Sequence, residues 1–145
     1  MKLSLDIQNL GEVSKIFDKF QKEAEEALKQ AIVKQAFDTT DDAKKLAPVD
    51  LGNLRANIVP RKIGDLDWKV ISYAKYSPYM EFGTGKMVQV PQELYDIAIQ
   101  FKGKGIREVN IPPQPFMYPA FVKARAEYKT NLKKALQQII DKNNG

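Results

Sequence analysis

The sequence of 145 residues contains no cysteine and no histidine. Their absence excludes disulfide bonds, thiolate nucleophiles, zinc sites built from these residues, and Ser-His-Asp triads. An enzyme built from this chain would have to use Asp, Glu, Lys or Tyr side chains, or a carboxylate-bound metal. These exclusions make an enzyme less expected, and we predict no catalytic residues, no cofactor and no metal site.

Long apolar runs are missing as well. The N-terminal segment MKLSLDIQNL lacks the continuous apolar stretch that a signal peptide needs. No part of the chain approaches the roughly 20 consecutive apolar residues of a membrane span. These two absences predict a soluble, cytoplasmic protein without a membrane partner.

The remaining composition is that of an ordinary globular protein. Hydrophobic residues make up 43% of the chain and charged residues 28%, and the 8 glycines and 8 prolines are too few for a disordered or fibrous chain. A length of 145 residues falls within the usual size of one domain. We predict one domain that covers residues 1–145.

A long amphipathic helix is the clearest local pattern. Between Val13 and Ile32, apolar residues recur at steps of three and four, and neither proline nor glycine follows until Pro48. The pattern predicts one helix from about Glu12 to Leu46. Its length of about 50 Å exceeds the roughly 40 Å diameter of a compact domain of this size. The helix must therefore either bend or contact another subunit.

A bend in this helix is predicted at Phe37–Asp42, where several poor helix formers follow one another. Within the segment, Thr39 and Asp42 have the spacing of a capping box. The apolar positions after this segment are rotated relative to those before it. We predict a helix that is continuous but curved.

Three segments have the alternating pattern of β-strands. Lys2–Ile7 is the first, and Leu54–Arg61 and Asp67–Tyr73 predict a hairpin. The second strand of the hairpin is partly apolar on both faces, as expected if helices or a neighbouring subunit cover the sheet. Before the hairpin, Val49–Asn53 predicts a turn in which Gly52 supplies a positive φ.

The second half of the chain adds further helical patterns. Pro91–Phe101 fits either a helix or a strand, and Pro91 at a first-turn position with Glu93 beside it favours a helix. Ile106–Ile111 predicts a short strand, and a second amphipathic helix begins at Pro119. The predicted fold class is α+β, with a long N-terminal amphipathic helix and a C-terminal helix packed on a small antiparallel β-sheet.

The segment YSPYMEFGTG, residues 76–85, could be a catalytic loop, a phosphate-binding loop or part of the scaffold. Its glycines and Lys86 lack the GxxxxGK[ST] spacing of a phosphate loop. We expect the glycines to form a turn that lets the chain reverse after Phe82. A buried Glu81 could act as a general base, but no second catalytic group is visible nearby. We favour a structural role for Glu81, either in an ion pair with Arg55 or Arg61 or in hydrogen bonds to backbone N–H groups at the turn.

Three tyrosines, Tyr73, Tyr76 and Tyr79, are spaced by three, as if on one side of a helical turn. Such rings could stack on nucleic-acid bases, wedge into a protein interface or pack in the core. No cluster of Arg or Lys interleaves them. We therefore favour an interface over nucleic acid, with core packing as an equal alternative.

The net charge of +5 comes from 23 basic and 18 acidic residues, and the excess is concentrated in residues 119–145. A solvated helix face is the favoured interpretation, because the bases are spread along a polar face. The alternative is a nonspecific nucleic-acid-binding module that uses the basic C-terminal helix. In that case Lys129, Lys133 and Lys134 would face DNA.

Three segments resemble the signatures of one known family. Residues 47–55 (APVDLGNLR) resemble APVDTGxLR, residues 76–85 (YSPYMEFGTG) resemble YAPYVEFGTG, and residues 113–120 (PQPFMYPA) resemble xQPFLRPA. The family comprises tail components of long-tailed bacteriophages and prophages, the neck proteins called tail completion or tail terminator proteins. The order and spacing of the segments match along roughly residues 10–140.

The resemblance implies a ring, expected to be hexameric, at the head-tail junction. Such a ring ends the tail tube and joins it to the head connector. The implied partners are further copies of this chain, the major tail tube protein and the head connector or stopper proteins. DNA passing through the ring would contact lumen-facing lysines nonspecifically. The implied location is the tail or neck of the virion, after assembly in the host cytoplasm, and no catalysis is expected.

The resemblance also singles out residues for structural or interface roles, with ring contacts expected from the sheet, the long helix and the Tyr79–Phe82 loop. These residues all belong to the three motifs: Asp50, Gly52, Leu54, Arg55, Tyr76, Tyr79, Glu81, Phe82, Gly83, Pro115, Phe116 and Pro119.

Overall fold

The computed structural model describes residues 2–4, 11–49, 52–101 and 109–144. These residues form β1 (Lys2–Ser4), α1 (Gly11–Leu46), α2 (Gly52–Ala56), β2 (Ile58–Gly64), β3 (Asp67–Ser72), α3 (Ser77–Phe82), α4 (Tyr95–Ala98) and α5 (Met117–Asn144). Short 3-10 helices lie at Gly85–Met87, Gln92–Leu94 and Ile99–Phe101. The architecture is α+β, as the sequence predicts.

Helix α1 is continuous over 36 residues, about 54 Å at 1.5 Å per residue. The predicted bounds and continuity are confirmed, but the predicted capping box is wrong. The hydroxyl of Thr39 donates to the carbonyl of Gln35 (2.6 Å), and that of Thr40 donates to the carbonyl of Ala36 (2.8 Å). Both threonines therefore bond back to the preceding turn, which is how a helix interior accommodates a hydroxyl that water cannot reach.

The sheet has the strand order β1-β3-β2, and both pairs of strands are antiparallel. The hairpin β2–β3 confirms the prediction, except at the two ends of β2, which continues to Gly64 beyond the predicted Arg61. Strand β2 begins at Ile58 rather than at Leu54, because Gly52–Ala56 forms helix α2. Gly52 does not have the predicted positive φ. The predicted strand at Lys2–Ile7 is present over Lys2–Ser4, and its remainder lies outside the described residues.

Helix α5 runs antiparallel to α1. Lys123 contacts Asp42 (Nζ–Oδ2, 2.8 Å), and Asn131 donates to the side-chain oxygen of Gln35 (3.1 Å). Two clusters of buried side chains hold the layers together. The first core cluster comprises Ala43, Ala47, Leu54, Ile58, Val70, Ala74, Phe116 and Ala120. The second core cluster comprises Leu28, Ile32 and Leu132, with Trp68, Tyr128 and Leu136 packed against it.

The region between the hairpin and α5 is mostly helical. Pro91–Phe101 contains one turn of α-helix between two 3-10 turns, which confirms a helix over a strand. Val109–Ile111 is not a strand, so that part of the predicted Ile106–Ile111 strand is wrong. The other part of that prediction, residues 106–108, lies outside the described residues.

Candidate functional site

The first motif closes the C-terminal end of α1. The guanidinium of Arg55 donates to the carbonyl oxygen of Ala47 from Nη2 (2.9 Å) and from Nε (3.3 Å). A cation here satisfies a carbonyl at the helix end and complements the negative end of the helix dipole. Leu54, on α2, has no exposed surface and packs in the first core cluster. The motif therefore joins the end of α1 to the core.

The second motif provides a cap for a distant helix. Glu81, near the end of α3, is only 7% exposed, and its carboxylate accepts three backbone N–H groups. Phe116 and Met117 donate to Oε2 (2.9 Å each), and Tyr118 donates to Oε1 (2.7 Å). Because α5 begins at Met117, this carboxylate satisfies N–H groups that the helix leaves free and meets the positive end of its dipole. We call this arrangement the Glu81 cap.

The third motif supplies the backbone N–H groups that Glu81 binds in the Glu81 cap. Phe116 is fully buried in the first core cluster, and Ala120 is 1% exposed in the same cluster. Pro119 lies in the first turn of α5, where the missing N–H costs no helical hydrogen bond. Pro115 is exposed. The three motifs, far apart in the chain, thus meet around one core cluster and the start of α5.

Two glycines let the chain turn after α3. Gly83 has a φ of 77° and Gly85 a φ of 61°, which are conformations that favour glycine. A Cβ atom on Gly83 would lie 2.8 Å from the carbonyl oxygen of Ile111, 2.9 Å from that of Met87 and 2.9 Å from Cδ of Pro113. The prediction that these glycines form a turn is confirmed, and the close approach of two carbonyl groups explains why Gly83 has no side chain.

The Gly83→Ala variant should lower the free energy of unfolding by about 2 to 3 kcal/mol, because alanine is strained at this backbone conformation and its Cβ would press on backbone oxygens. Gly52→Ala is the matched control. Gly52 starts a helix and has no atom within 4 Å of the added Cβ. Urea unfolding of both variants measures the difference, and equal stabilities would contradict this account of Gly83.

The structure favours a scaffold over a phosphate cradle for this loop, since N–H groups on both sides of Gly85 already have acceptors in the protein. Thr84 donates its N–H to the carbonyl of Ile111 (2.9 Å), and Lys86 donates its N–H to Oδ1 of Asn110 (2.9 Å). The Thr84 hydroxyl accepts the N–H of Ile111 (2.9 Å) and donates to the carbonyl of Val109. These bonds tie the loop to residues 109–111, directly before the third motif.

The predicted partners of Glu81 are corrected. Within the described residues, Arg55 is bound to the end of α1, and Arg61 donates to the hydroxyl of Tyr73 (2.9 Å), so neither guanidinium pairs with Glu81. The other prediction is confirmed in that Glu81 accepts hydrogen bonds from backbone N–H groups. These groups lie at the start of α5, however, and not at the turn. Asp50 lies outside the described residues.

The aromatic residues of the second motif divide between core and surface. Tyr76 is half-buried against the first core cluster, and Phe82 is buried. Tyr79 is 41% exposed and Tyr73 is 51% exposed. The three tyrosines therefore do not present a single stacking surface.

The three lysines proposed to face DNA are all exposed on α5, but they do not form one patch. Lys129 and Lys133 are four residues apart and share a face of the helix. Lys134 instead lines a groove of about 500 Å³ between α1 and α5, together with Lys34 and Gln138. The structure brings two of the three lysines together.

An exposed apolar segment is the part of the surface that sequence reasoning missed. We call Gly85–Phe101 the arm. Six of its large apolar side chains are between 41% and 60% exposed: Met87, Val88, Tyr95, Ile97, Ile99 and Phe101. The apolar residues of Pro91–Phe101 fit both the spacing of a helix and the alternation of a strand. Either pattern predicts side chains that are buried within the chain, so neither indicated that these side chains are exposed.

Glu93 attaches the arm to α5 through hydrogen bonds and an ion pair. The hydroxyl of Tyr118 donates to Oε1 of Glu93, and Arg125 donates to both carboxylate oxygens (3.3 and 3.5 Å). The Tyr118 hydroxyl, followed by Arg125, holds the pKa of Glu93 below its ordinary value. The same contact raises the pKa of Tyr118. Arg125 also lies over the ring of Phe121, 5.7 Å from its centroid.

In residues 2–4, 11–49, 52–101 and 109–144, no three or more acidic side chains gather where they could hold a metal ion. None of the helices in these ranges is both long and apolar enough to cross a membrane.

A comparison with protein families identifies the chain. The model of the family described as "Bacteriophage HK97-gp10, putative tail-component" matches residues 11–83, which are 73 of the 145 residues. The chain belongs to this phage tail-component family. The match includes the first motif and most of the second, and it confirms the resemblance. The third motif lies beyond residue 83, yet it contacts the other two in the structure of this chain.

Neither a search of the curated proteins nor a search of the solved structures found a match. The HK97-gp10-like family is therefore the comparison that bears on function. A phage tail component is a structural protein of the virion, and this favours the predicted absence of enzymatic activity. It also implies a location in the virion and contacts with other virion proteins.

Proposed function

We propose that the protein is a structural protein of the phage neck, of the tail completion or tail terminator type. In this proposal, copies of the chain form a ring, expected to be hexameric, that ends the tail tube and joins it to the head connector or stopper proteins. The protein would assemble in the host cytoplasm and remain in the neck of the virion. Membership in a phage tail-component family supports the general role.

The observation that carries the assembly part of the proposal is the exposed arm. Isolated soluble proteins rarely expose contiguous apolar patches of more than a few hundred Å², and larger patches mark interaction sites. Six large apolar side chains lie within 17 consecutive residues of the arm. Their exposure in the described structure supports a contact with another protein.

The length of α1 supports the same conclusion. At about 54 Å, this helix exceeds the roughly 40 Å diameter expected for a compact domain of 145 residues. An oligomer can cover a helix that extends beyond its own core.

Native mass spectrometry and tail assembly test the proposal. We expect a concentration-dependent oligomer, with the hexamer as the largest closed species, and association with isolated tail tubes. A phage that lacks the gene should produce tails that do not join heads, and the wild-type gene should restore joining. A protein that stays monomeric at high concentration, binds neither tail tubes nor connectors, and is dispensable for joining would refute the proposal.

The alternative of a nucleic-acid-binding module makes a different prediction. It requires duplex DNA binding by the free protein that weakens steeply with salt and is lost in a Lys129→Glu, Lys133→Glu, Lys134→Glu variant. Under the neck-protein proposal, the same variant still associates with tail tubes. Contact with DNA would then be limited to nonspecific attraction in the lumen of the ring.

A further inference from the structure

The arm is attached differently at its root and further along. At the root, a backbone hydrogen bond joins it to the end of α3, where Gln89 donates its N–H to the carbonyl of Phe82 (2.8 Å). We call residues 90–101 the outer arm. None of these residues is buried. Among the described residues, the hydrogen bonds that join the outer arm to another element are those of Glu93 with α5.

The two partners of Glu93 on α5 contribute unequally. The side chains of Glu93 and Arg125 are 44% and 50% exposed, and the bonds between them are long, at 3.3 and 3.5 Å. Exposed ion pairs of this kind contribute little to stability, because water competes for both groups. The Tyr118 hydroxyl belongs to a half-buried side chain and donates to a charged acceptor, which makes a stronger hydrogen bond. Tyr118 is therefore the main anchor of the outer arm.

Tyr118 also belongs to the Glu81 cap. Its backbone N–H donates to Oε1 of Glu81 (2.7 Å), while its hydroxyl donates to Oε1 of Glu93. One residue thus connects two carboxylates, of which the first is buried at the start of α5 and the second is exposed on the arm. The position in which the cap holds Tyr118 determines where its hydroxyl can meet Glu93.

The place of Tyr118 in α5 makes this anchor sensitive to the cap. The first turn of a helix frays readily, because its N–H groups have no acceptor within the helix. Tyr118 is the second residue of α5 and lies in that turn. Arg125 lies about two turns further along, where fraying of the first turn leaves the helix intact. Loss of the cap should therefore displace the Tyr118 anchor and spare the Arg125 contact.

We propose that Tyr118 couples the arm to the Glu81 cap, so that ordering the start of α5 also fixes the position of the outer arm. The coupling is a property of the single chain and does not depend on the proposed function. Energetic coupling acts in both directions. A protein that binds the arm in this position therefore also stabilises the start of α5.

The coupling has a consequence for assembly, and this consequence rests on the proposed function. A segment that is ordered beforehand loses less backbone and side-chain freedom on binding, so it binds more tightly. The exposed apolar side chains of the arm are then presented in one arrangement rather than in many. The cap, although it is buried, thereby contributes to a contact made by the arm.

Limited digestion with chymotrypsin measures how often the outer arm detaches, because cleavage follows the population of the opened segment when reclosing is fast. Tyr95 and Phe101 are the sites to follow by mass spectrometry. Tyr118→Phe should speed cleavage in the arm by about three- to tenfold, since it removes the anchoring hydroxyl and little else. Tyr73→Phe is the matched control. It removes a hydroxyl that accepts a hydrogen bond from Arg61 on the sheet, and it should leave cleavage of the arm unchanged.

A double-mutant cycle tests whether the coupling passes through Tyr118. Glu81→Gln keeps one acceptor oxygen and weakens the cap without removing it, and alone it should speed cleavage of the arm by about threefold. In the Tyr118→Phe background it should add less than about twofold, because the anchor through which it acts is already lost. Glu127→Gln, the same change at an exposed glutamate of α5, is the control. Hydrogen exchange at the start of α5 measures the loosening of the cap, and circular dichroism checks that each variant folds.

Two results would overturn the coupling. Unchanged cleavage of the arm in Tyr118→Phe would show that the hydroxyl does not hold the arm. An equal effect of Glu81→Gln with and without the hydroxyl would show that the cap acts on the arm by another route. Both measurements use the free chain, so neither result decides the proposed function.

The consequence for assembly has its own measurement. Tyr118→Phe should raise the concentration at which oligomers form by about threefold, because the arm then loses more freedom on binding. Oligomers that form at the wild-type concentration would contradict this consequence. A wild-type protein that neither associates nor supports head joining would refute the proposed function, while faster cleavage in Tyr118→Phe would still support the coupling.

Discussion

In the Glu81→Ala variant, we expect the free energy of unfolding to fall by about 3 to 5 kcal/mol. The carboxylate accepts three backbone N–H groups at the start of α5, with distances of 2.7 to 2.9 Å. Hydrogen bonds to a charged group contribute more than neutral ones, and buried N–H groups left without an acceptor carry their full desolvation cost. Loss of the cap would also remove the negative charge from the positive end of the α5 dipole.

Urea unfolding at a fixed protein concentration measures this effect, since any oligomer would add its own stabilisation. Glu127→Ala is the matched control, because Glu127 is an exposed glutamate within α5. Glu81→Gln should lie between the two, since its amide oxygen can accept N–H groups while its amide nitrogen cannot. If Glu81→Ala were as stable as Glu127→Ala, the carboxylate would not be what holds the start of α5.

The Phe116→Ala variant should lose about 3 to 5 kcal/mol, the usual cost of removing a buried phenyl ring and leaving a cavity. Phe116 has no exposed surface, and it contacts the cluster that also holds Leu54 and Ile58. The substitution therefore weakens the site where all three motifs meet. The midpoint of thermal unfolding should fall by roughly ten degrees for a chain of this size.

Phe101→Ala makes the same chemical change on the arm, where Phe101 is 41% exposed. This control should leave the stability of the monomer nearly unchanged. If the arm contacts another copy, Phe101→Ala should instead raise the concentration needed for oligomers. Comparable unfolding midpoints for Phe116→Ala and the wild type would show that the core cluster does not depend on this ring.

The elements predicted correctly from the sequence are those whose signals are local. Helix α1 follows from its apolar periodicity and from the absence of proline before Pro48, and the observed bounds differ from the predicted ones by one residue. The turn at Gly83 and Gly85 follows from glycine's lack of a Cβ, which permits the positive φ angles that the structure shows there. In each case the deciding interactions lie within a few residues along the chain.

Local sequence patterns gave wrong predictions where contacts between distant parts of the chain determine the structure. Leu54 was assigned to a strand, but its burial in the first core cluster is achieved from helix α2. Gly52 was expected to turn the chain with a positive φ, yet it begins that helix. Five residues are too few for a periodic pattern to distinguish one turn of helix from a strand.

The role of Glu81 also has one part that the sequence predicts and another that only tertiary packing determines. From the sequence, Glu81 is predicted to have a structural role, because no second catalytic group is visible near it. Its acceptor role depends on the N–H groups of Phe116, Met117 and Tyr118, which lie 35 to 37 residues away in the chain. Proximity of that kind comes from packing α3 against the start of α5, and no spacing in the sequence encodes it directly.

By itself, the sequence determined the α+β class, both long helices, the hairpin, the glycine turn and the phage tail-component family, because periodicity, glycine placement and motif order are properties of the linear chain. Only the tertiary structure decided which groups meet: Arg55 with the end of α1, Glu81 with the start of α5, and Glu93 with α5 at the arm. It also decided which apolar residues stay exposed, because burial depends on what the rest of the chain can cover.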